Sequence, residues 1–319
     1  MISARVALLL AAAALTGALV PSVGRAGQFA YVSNEGSGTI GVIDTERDEV
    51  VGAIPTGGKP RGVAVHPDGR TLYVSDQPNS RLVIIDLASR QPVASVPIGS
   101  SPEGVYISPD GKLVSVVSED TNTVYFIDTA ERREAFRIPT QGKNPEHAVF
   151  SPDGKYVFVS AENEDNVEVL DLARRTSVAR IKVGERPRGI AFTPDGSRAI
   201  VGAENASLVG VIDVAAMKLV TSFKAGVRSN GVTMNPSGRE VYVSNGGDGT
   251  VSVIDTATWS PVATIPVGRR PWNMGITADG KKLYVANGRS NSVSVIDTQA
   301  RRKIQDIAVG ELPWGVVVR

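Results

Sequence analysis

Short apolar runs, separated by turn residues, recur along the chain from residue 29 onward. One stretch shows the pattern as four runs rich in Val, Ile and Tyr, at 62–66, 71–75, 82–86 and 92–96. Runs of this length, bounded by Gly, Pro, Asp and Ser, are typical of β-strands. Because no segment keeps a helical period over the length of a helix, the pattern predicts an all-β protein.

The four runs belong to a repeat of about 42 residues. A Val-Ile-Asp segment, or a variant of it, ends the third run of every repeat, with its aspartate at Asp44, Asp86, Asp128, Asp171, Asp213, Asp255 and Asp297. Four strands in a unit of this length are the pattern of a propeller blade. We therefore predict a seven-bladed β-propeller with four antiparallel strands per blade.

Two markers of the repeat favour structural roles. Pro-Asp-Gly stands between the first and second runs of four repeats and degrades in two others, to Pro236-Ser237-Gly238 and Ala278-Asp279-Gly280. Pro presets φ and Gly accepts a positive φ, so the tripeptide suits a tight turn. The aspartate that ends the third run is placed to accept hydrogen bonds from backbone N–H groups two residues on.

The repeat also predicts how the ring closes. The N-terminal run 29–33 matches a second strand, and the C-terminal run 315–319 matches a first strand. The last blade would combine three N-terminal strands with the C-terminal strand, which removes exposed sheet edges. Residues 27–319 are expected to form a single propeller domain, since the seven repeats account for this whole length.

Residues 1–26 differ from the repeats and have the features of a secretory signal peptide. Arg5 precedes an uncharged apolar run over 6–20, and Gly24 and Ala26 place small residues before a cleavage point. The alternative is a membrane anchor, which would need about 20 apolar residues. We predict an exported protein, periplasmic or secreted, with no membrane insertion after cleavage.

Charge and cysteine content exclude several classes of protein. Without the two Arg of the predicted signal peptide, 32 Lys and Arg stand against 33 Asp and Glu, a net charge of −1. No basic block provides the footprint of a nucleic-acid-binding protein, so we expect no nucleic-acid partner. The chain has no Cys, which excludes disulfides, a Cys-x-x-Cys-His haem attachment and a thiolate metal site. We expect no cofactor and a monomer.

The repeats resemble the YVTN-type β-propeller repeat family of bacteria. The shared pattern is a Pro-x-Gly first strand that ends in Pro-Asp-Gly, followed by Leu-Tyr-Val-Ser and Val-x-Val-Ile-Asp-Thr strands, clearest in 62–99 and 232–268. The resemblance covers 29–319 and implies the propeller fold; its more distant relatives include lactonase-type enzymes. The tail, 287–297 and 312–318, looks most like propellers associated with catabolism that depends on pyrroloquinoline quinone. This narrower resemblance implies a role accessory to quinone-dependent periplasmic oxidation.

Turns that vary between repeats are the place to look for function on such a scaffold. The second-to-third turns and the blade-to-blade turns vary, and they share one face. In the blade-to-blade turn Gly-x-x-Pro-x-Gly, the residue before the last Gly should ring the mouth of the central channel, and we call it the mouth position. The predicted ligand-binding residues are the mouth positions and the two non-glycine residues that follow them: Arg61, Glu103, Glu146, His147, Arg188, Asn230, Trp272, Asn273 and Trp314.

Two features of this face suggest binding. Trp272 and Trp314 occupy neighbouring mouth positions, across the channel from two mouth glutamates, and both are expected to be exposed. Exposed indole rings can stack on a ligand or anchor a partner protein. The alternative is that they pack against neighbouring blades. The second-to-third turns add an acidic arc, which would be either a cation site or a solvated rim: Asp76, Glu119, Asp120, Glu162 and Glu204.

Two functions are compatible with these features. The first is a non-catalytic propeller that binds a small molecule or docks a periplasmic partner protein. The second is a lactonase-like hydrolase that uses mouth carboxylates, with or without a divalent metal. Glu146 and His147 would be its acid–base pair, but no Gly-x-Ser-x-Gly elbow and no Cys accompany them, and His66 lies at the far end of its strand. We expect the non-catalytic function.

Overall fold

A computed structural model describes residues 28–319. These residues form seven antiparallel four-stranded sheets, and the innermost strands of successive sheets contact one another around a ring. The prediction of a seven-bladed β-propeller is confirmed. The predicted signal peptide, 1–26, lies outside the described residues and stays a prediction. Within 28–319, no helix is long and apolar enough to cross a membrane.

Each blade presents its four strands in the same order from the channel outward. The innermost strands are β4 (Pro60–Val65), β8 (Pro102–Ile107), β12 (Pro145–Phe150), β16 (Pro187–Phe192), β20 (Ser229–Met234), β24 (Pro271–Ile276) and β28 (Pro313–Val318). The second strands are β1 (Phe29–Asn34), β5 (Thr71–Asp76), β9 (Leu113–Ser118), β13 (Tyr156–Ala161), β17 (Arg198–Ala203), β21 (Glu240–Asn245) and β25 (Lys282–Asn287).

The two outer layers complete the blades. The third strands are β2 (Thr39–Asp44), β6 (Arg81–Asp86), β10 (Thr123–Asp128), β14 (Asn166–Asp171), β18 (Leu208–Asp213), β22 (Thr250–Asp255) and β26 (Ser292–Asp297). The outermost strands are β3 (Glu49–Pro55), β7 (Gln91–Pro97), β11 (Arg133–Pro139), β15 (Thr176–Lys182), β19 (Lys218–Lys224), β23 (Ser260–Pro266) and β27 (Arg302–Ala308).

The ring closes as predicted, by the pairing of β28 with β1. Ala30 lies opposite Val318, and Phe29 and Arg319 exchange backbone hydrogen bonds of 2.7 and 2.9 Å. The closing blade therefore has the strand order β28-β1-β2-β3. The pairing covers the inner edge of β1, because the two ends of the chain supply neighbouring strands of one sheet.

The hydrophobic core lies between the blades. The second and third strands are buried along nearly their whole length, because a neighbouring blade covers each face of a sheet. In one of these layers, Tyr73 and Ile84 of one blade pack with Val114 and Tyr125 of the next. Burial on both faces explains why these strands are continuous apolar runs. The outermost strands are exposed, as Val93 of β7 shows.

Both markers of the repeat have the predicted structural roles. The glycines of the Pro-Asp-Gly turns and their variants have φ values of 70–74°. Asp68 accepts the N–H of Arg70 at 2.8 Å. At the end of a third strand, Asp128 accepts the N–H groups of Ala130 and Glu131 at 2.9 and 2.8 Å. These carboxylates stabilise turns on the face opposite the variable one.

The innermost strands carry a bulge that shapes the channel. Each of them shifts its register by one residue at the mouth position, as β4 does between Pro60 and Val63. Such a bulge turns a side chain out of the regular alternation. The glycine that follows lies against the next blade: a Cβ on Gly62 would be 2.4 Å from the carbonyl oxygen of Glu103. The Pro-x-Gly pattern therefore reflects the close approach of neighbouring innermost strands.

Candidate functional site: the channel mouth

Side chains of the mouth positions meet around a cavity of about 330 Å³ at one end of the channel. We call it the mouth cavity. It is lined by Glu35, Arg61, Gln77, Glu119, Glu146, Glu162, Arg186, Arg188, Trp272 and Trp314. Five predicted residues, Arg61, Glu146, Arg188, Trp272 and Trp314, thus come together from five different blades.

The other predicted residues lie behind or below the mouth cavity. Glu103 is fully buried and Asn230 is 2% exposed. Asn273 lines a second cavity of about 110 Å³ deeper in the channel, and its Nδ2 donates to the carbonyl oxygen of Trp314 at 3.4 Å. His147 contacts Trp314, which lines both cavities.

The two tryptophans are less exposed than predicted. Trp314 is 5% exposed and stacks on His147, with ring centroids 5.8 Å apart and planes 20° apart. Trp272 is half-buried under Arg270, whose guanidinium carbon lies 4.1 Å from the ring centroid. The expectation of two exposed indoles was wrong because side chains from other blades and turns cover them.

His147 reaches across the channel. It stands on β12, three blades away from Trp314 on β28. Five of the seven innermost strands have glycine at the position that His147 occupies in β12. Its Nδ1 lies 2.6 Å from Oη of Tyr106, and the residue is 1% exposed. Burial, and secondarily the charge of Arg188, lower the pKa of His147 to about 3. A neutral imidazole between Tyr106 and Trp314 therefore supports Trp314, which lines the mouth cavity.

The acidic arc has a different membership from the predicted one. Asp76 is the last residue of β5 and is fully buried. It accepts hydrogen bonds of 2.8 Å from Asn79 and Arg81 of its own hairpin. The equivalent strands β9, β13 and β17 end at Ser118, Ala161 and Ala203. The three glutamates of the arc thus come one residue after the end of the second strand, whereas Asp76 is the last residue of its strand. The prediction that Asp76 is equivalent to these glutamates was wrong, and its side chain has a different direction because successive residues of a strand face opposite directions.

The corrected arc includes two residues that the sequence analysis missed. A backbone hydrogen bond marks its position in each blade: the N–H of Glu162 donates to the carbonyl of Asn144, and that of Glu35 to Leu312, at 2.9 and 3.0 Å. By this criterion Glu35 and Gln77 are the equivalents of Glu162, and both line the mouth cavity. Counting from the end of the second strand would have found them.

Arginines neutralise one side of the mouth. Arg188, with a side chain 5% exposed, lies 2.5 Å from Glu146 and 2.9 Å from Glu204, and also contacts Glu162. Arg270 lies 2.6 Å from Glu204. Although burial alone would raise it, the charges of Arg188 and Arg270 lower the pKa of Glu204 to about 2. This carboxylate is a fixed counter-ion and not a proton acceptor.

The opposite side of the mouth has fewer cations. Arg61 serves two carboxylates, Glu103 at 2.6 Å and Glu35 at 3.3 Å. Within residues 28–319, Glu119 has no ion-pair partner; it accepts a hydrogen bond from Oγ of Ser101 at 3.0 Å. The cavity is therefore polarised, with its uncompensated negative charge on the side of Glu119.

Buried polar atoms without hydrogen-bond partners cluster at the mouth. In the part of the chain that the structure describes, seven such side-chain atoms occur. Five belong to mouth residues: Arg61 Nε, Glu103 Oε2, Arg186 Nε, Asn230 Nδ2 and Arg270 Nη1. Folded proteins leave few buried polar atoms unpaired, so this concentration marks the mouth as the polar region whose hydrogen bonding is least complete, although Nε of Arg61 and of Arg186 each lie 3.3 Å from a carboxylate oxygen.

The structure does not assemble the candidate acid–base pair. Glu146 is held by Arg188, whereas the next residue, His147, contacts Tyr106 and Trp314. A histidine with a pKa near 3 is a weak base at neutral pH. Among residues 28–319, no group of three or more His, Asp or Glu side chains is arranged to hold a metal ion. Nothing in this geometry favours the hydrolase.

These features define a repeat β-propeller with a charged, tryptophan-lined channel mouth. The chain belongs to the YNCE-like beta-propeller family, which matches residues 13–113 and 232–314, together more than half of the chain. Residues 111–239 match the cytochrome D1 heme domain family. The resemblance to a β-propeller repeat family is confirmed, and the narrower resemblance to quinone-associated propellers stays a prediction.

Solved structures with the same fold include two of different origin. One is hydrazine synthase of Kuenenia stuttgartiensis, with 25% identity, a TM-score of 0.76 and coverage of 84% of this chain and 92% of that chain. Another is a functionally unknown protein from Desulfotomaculum acetoxidans, with 18% identity, a TM-score of 0.81 and coverage of 91% and 98%. No curated protein matches the chain significantly.

The residues of the mouth do not fit a haem. A haem needs an axial ligand such as His, Met, Cys or Tyr. His147, the histidine at the mouth, is 1% exposed, stacked on Trp314 and bonded to Tyr106, so no side of it is open to a planar macrocycle. The wall of the cavity is also crossed by ion pairs of Arg188.

Proposed function

We propose that this protein is an exported, non-catalytic β-propeller that binds a polar small molecule in the mouth cavity. The observation that carries the proposal is the cluster of buried polar atoms without partners, five of the seven in residues 28–319. Donors and acceptors of a bound ligand would pair with such atoms, whose unpaired burial is costly. The ring of blades holds the surrounding side chains in place before binding, which favours affinity.

The recessed shape of the site favours a small molecule over a docked protein. A protein anchor has to reach into the partner surface, and Trp314 is only 5% exposed. A cavity of about 330 Å³ lies in the range of small-molecule pockets, which combine aromatic walls with a few placed polar groups. Trp272 and Trp314 supply the aromatic walls here, and the mouth carboxylates and guanidinium groups supply the polar contacts.

Export is supported by the sequence of residues 1–26, which has the three regions of a secretory signal peptide. The proposed site of action is therefore the periplasm or the exterior of the cell. A role accessory to quinone-dependent oxidation would be compatible with this location, and the binding proposal does not depend on it.

A ligand screen with Trp272→Ala tests the proposed function. Polar metabolites would be screened by thermal shift and by tryptophan fluorescence on the protein without its signal peptide. A ligand at a hundredfold excess over its Kd should stabilise the wild-type protein by about 3 kcal/mol. We expect Trp272→Ala to weaken the same ligand by about tenfold or more, because it removes an aromatic wall.

Trp259 provides the matched control. It lies in a third-to-fourth turn, on the face opposite the mouth, and is half-buried like Trp272. Trp259→Ala should leave ligand affinity unchanged, and circular dichroism would verify that both variants are folded. A ligand that binds equally to both variants would place binding outside the mouth and contradict the proposal.

A further inference from the structure

The charges of the mouth are unevenly distributed. Its carboxylates are Glu35, Glu103, Glu119, Glu146, Glu162 and Glu204, and its guanidinium groups are Arg61, Arg186, Arg188, Arg228 and Arg270. Because burial raises the pKa of Glu103 to about 8, five charged carboxylates stand against five guanidinium groups at neutral pH. The two kinds of charge are not distributed in the same way around the ring, and this distribution determines which ligand charge each side favours.

The negative charge that has no ion-pair partner lies on one side of the mouth. Arg186, Arg188, Arg228 and Arg270 all contact carboxylates of one half of the mouth, and Glu204 alone pairs with all four. The other half has the charged carboxylates of Glu35 and Glu119, the neutral carboxyl group of Glu103 and one guanidinium group, that of Arg61. A positive ligand group is therefore favoured in that half.

Glu119 is the accessible counter-ion in this half. Its carboxylate lines the mouth cavity and accepts only neutral donors, Ser101 Oγ at 3.0 Å and Asn144 Nδ2 at 3.2 Å. Gln77, which also lines the cavity, donates to Ser101 and to the buried Glu103 at 3.0 and 2.7 Å. Neutral donors orient the carboxylate without cancelling its charge, as a site for a cation requires.

Glycines on the far side make room for the aromatic wall. In two blades the arc position is Gly246 or Gly288 instead of a glutamate. A Cβ on Gly288 would lie 2.4 Å from Nε1 of Trp272, and a Cβ on Gly246 would lie 2.6 Å from Nη1 of Arg270. The cavity thus places an indole wall across from the uncompensated carboxylate, which suits a cation with an apolar body.

We propose that the ligand of the mouth cavity is a small organic monocation, with an ammonium group at Glu119 and an apolar body against Trp272 and Trp314. The inference rests on the proposed function and specifies its ligand class. Because every guanidinium group of the mouth already forms an ion pair with a carboxyl group, an anionic ligand would have to compete with these ion pairs, whereas an ammonium group would add one at Glu119.

Three probes of similar shape test the charge preference by isothermal titration calorimetry: phenethylammonium, phenethyl alcohol and phenylacetate. We expect phenethylammonium to bind about tenfold or more tightly than the other two, and high salt to weaken it selectively. Glu119→Gln should remove most of this preference while leaving the weak binding of the alcohol unchanged. Glu131→Gln makes the same charge change at a side chain 63% exposed on the opposite face and should bind like the wild type.

The outcomes separate this inference from the proposed function. Equal binding of the three probes, stronger binding of phenylacetate, or unchanged ammonium binding in Glu119→Gln would each overturn the inference while leaving a ligand site at the mouth. No binding of any probe would also overturn it, and the Trp272→Ala screen would then judge the proposed function by itself. If Glu119→Gln fails to fold, the salt dependence of ammonium binding to the wild type decides.

Discussion

Glu103 has a fully buried carboxyl group at the mouth, and one of its oxygens has no hydrogen-bond partner. Burial, followed by the charge of Glu146, raises the pKa of Glu103 to about 8, against the attraction of Arg61. Burial also lowers the pKa of His147 to about 3, because it disfavours the charged form of a base as it does that of an acid. Both residues are kept neutral at physiological pH because the channel excludes water around them.

The shifted pKa of Glu103 predicts a pH-dependent stability. Between its ordinary pKa of 4.5 and the folded value of about 8, the folded protein keeps a proton that the unfolded chain has released. The free energy of unfolding should therefore fall as the pH rises through this window. Glu103→Gln keeps a neutral side chain at every pH, so we expect its Tm to fall less than that of the wild type between about pH 5 and pH 8.

Differential scanning calorimetry across this window would measure the effect. Glu131→Gln, at an exposed turn, should keep the slope of the wild type. A Glu103→Gln profile parallel to the wild-type profile would show that Glu103 is already ionised in the folded protein and would contradict the prediction.

At the scale of the element, the backbone of the innermost strand determines which side chains lie at the channel mouth. Its bulge turns the mouth side chain into the channel, and the following glycine lets the next blade approach. The residue before the innermost strand has a positive φ in six blades, including Arg186, Arg228 and Arg270 at 58°, 60° and 54°. A left-handed conformation is unfavourable for arginine, and here it accompanies side chains that bind Glu204.

Close packing of the innermost strands predicts the effect of Gly104→Ala. The added Cβ would lie 2.6 Å from the carbonyl oxygen of Glu146 in the next blade, so backbone would have to move. We expect a loss of about 1–3 kcal/mol in the free energy of unfolding, measured by urea denaturation, together with weaker ligand binding. Gly41→Ala is the control, since its Cβ would meet a side-chain nitrogen of Asn34 at 3.2 Å; an equal loss there would argue against the explanation.

At the scale of the whole molecule, one strand pair joins the ends of the ring. β28 completes the sheet of β1, β2 and β3, so the first and last repeats share a blade. Every blade covers the apolar faces of two neighbours, and the ring has no terminal blade that would need a polar cap. Stability and the geometry of the mouth therefore both depend on closure.

Removal of residues 313–319 tests this dependence. It would expose the edge of β1 and delete Trp314, so we expect loss of cooperative unfolding and a tendency to aggregate. The control is a circular permutant that joins residue 319 to residue 29 by a short linker and opens the turn after Pro55. Because Phe29 and Arg319 are hydrogen-bonded, the permutant should keep the wild-type Tm. A truncated protein that unfolds like the wild type in calorimetry would contradict the prediction.

Much of this molecule is determined by local, repeated signals. Strand positions, the Pro-Asp-Gly turns, the third-strand aspartates and the closing strand all follow from the sequence, because each depends on a few neighbouring residues and on their place in the repeat. The mouth positions were also found this way, since a residue at a fixed place in a repeat lies at a fixed place in the ring.

The burial, the direction and the ion pairing of these side chains were decided by the tertiary structure. Trp314 is buried because His147 reaches it across the channel, and Asp76 turns into its own hairpin while Glu35 joins the mouth. The pairing of guanidinium groups with carboxylates, and hence the free charge of Glu119, depends on contacts between different blades. Such contacts join residues far apart in the chain and follow no period, so only the closed ring reveals them.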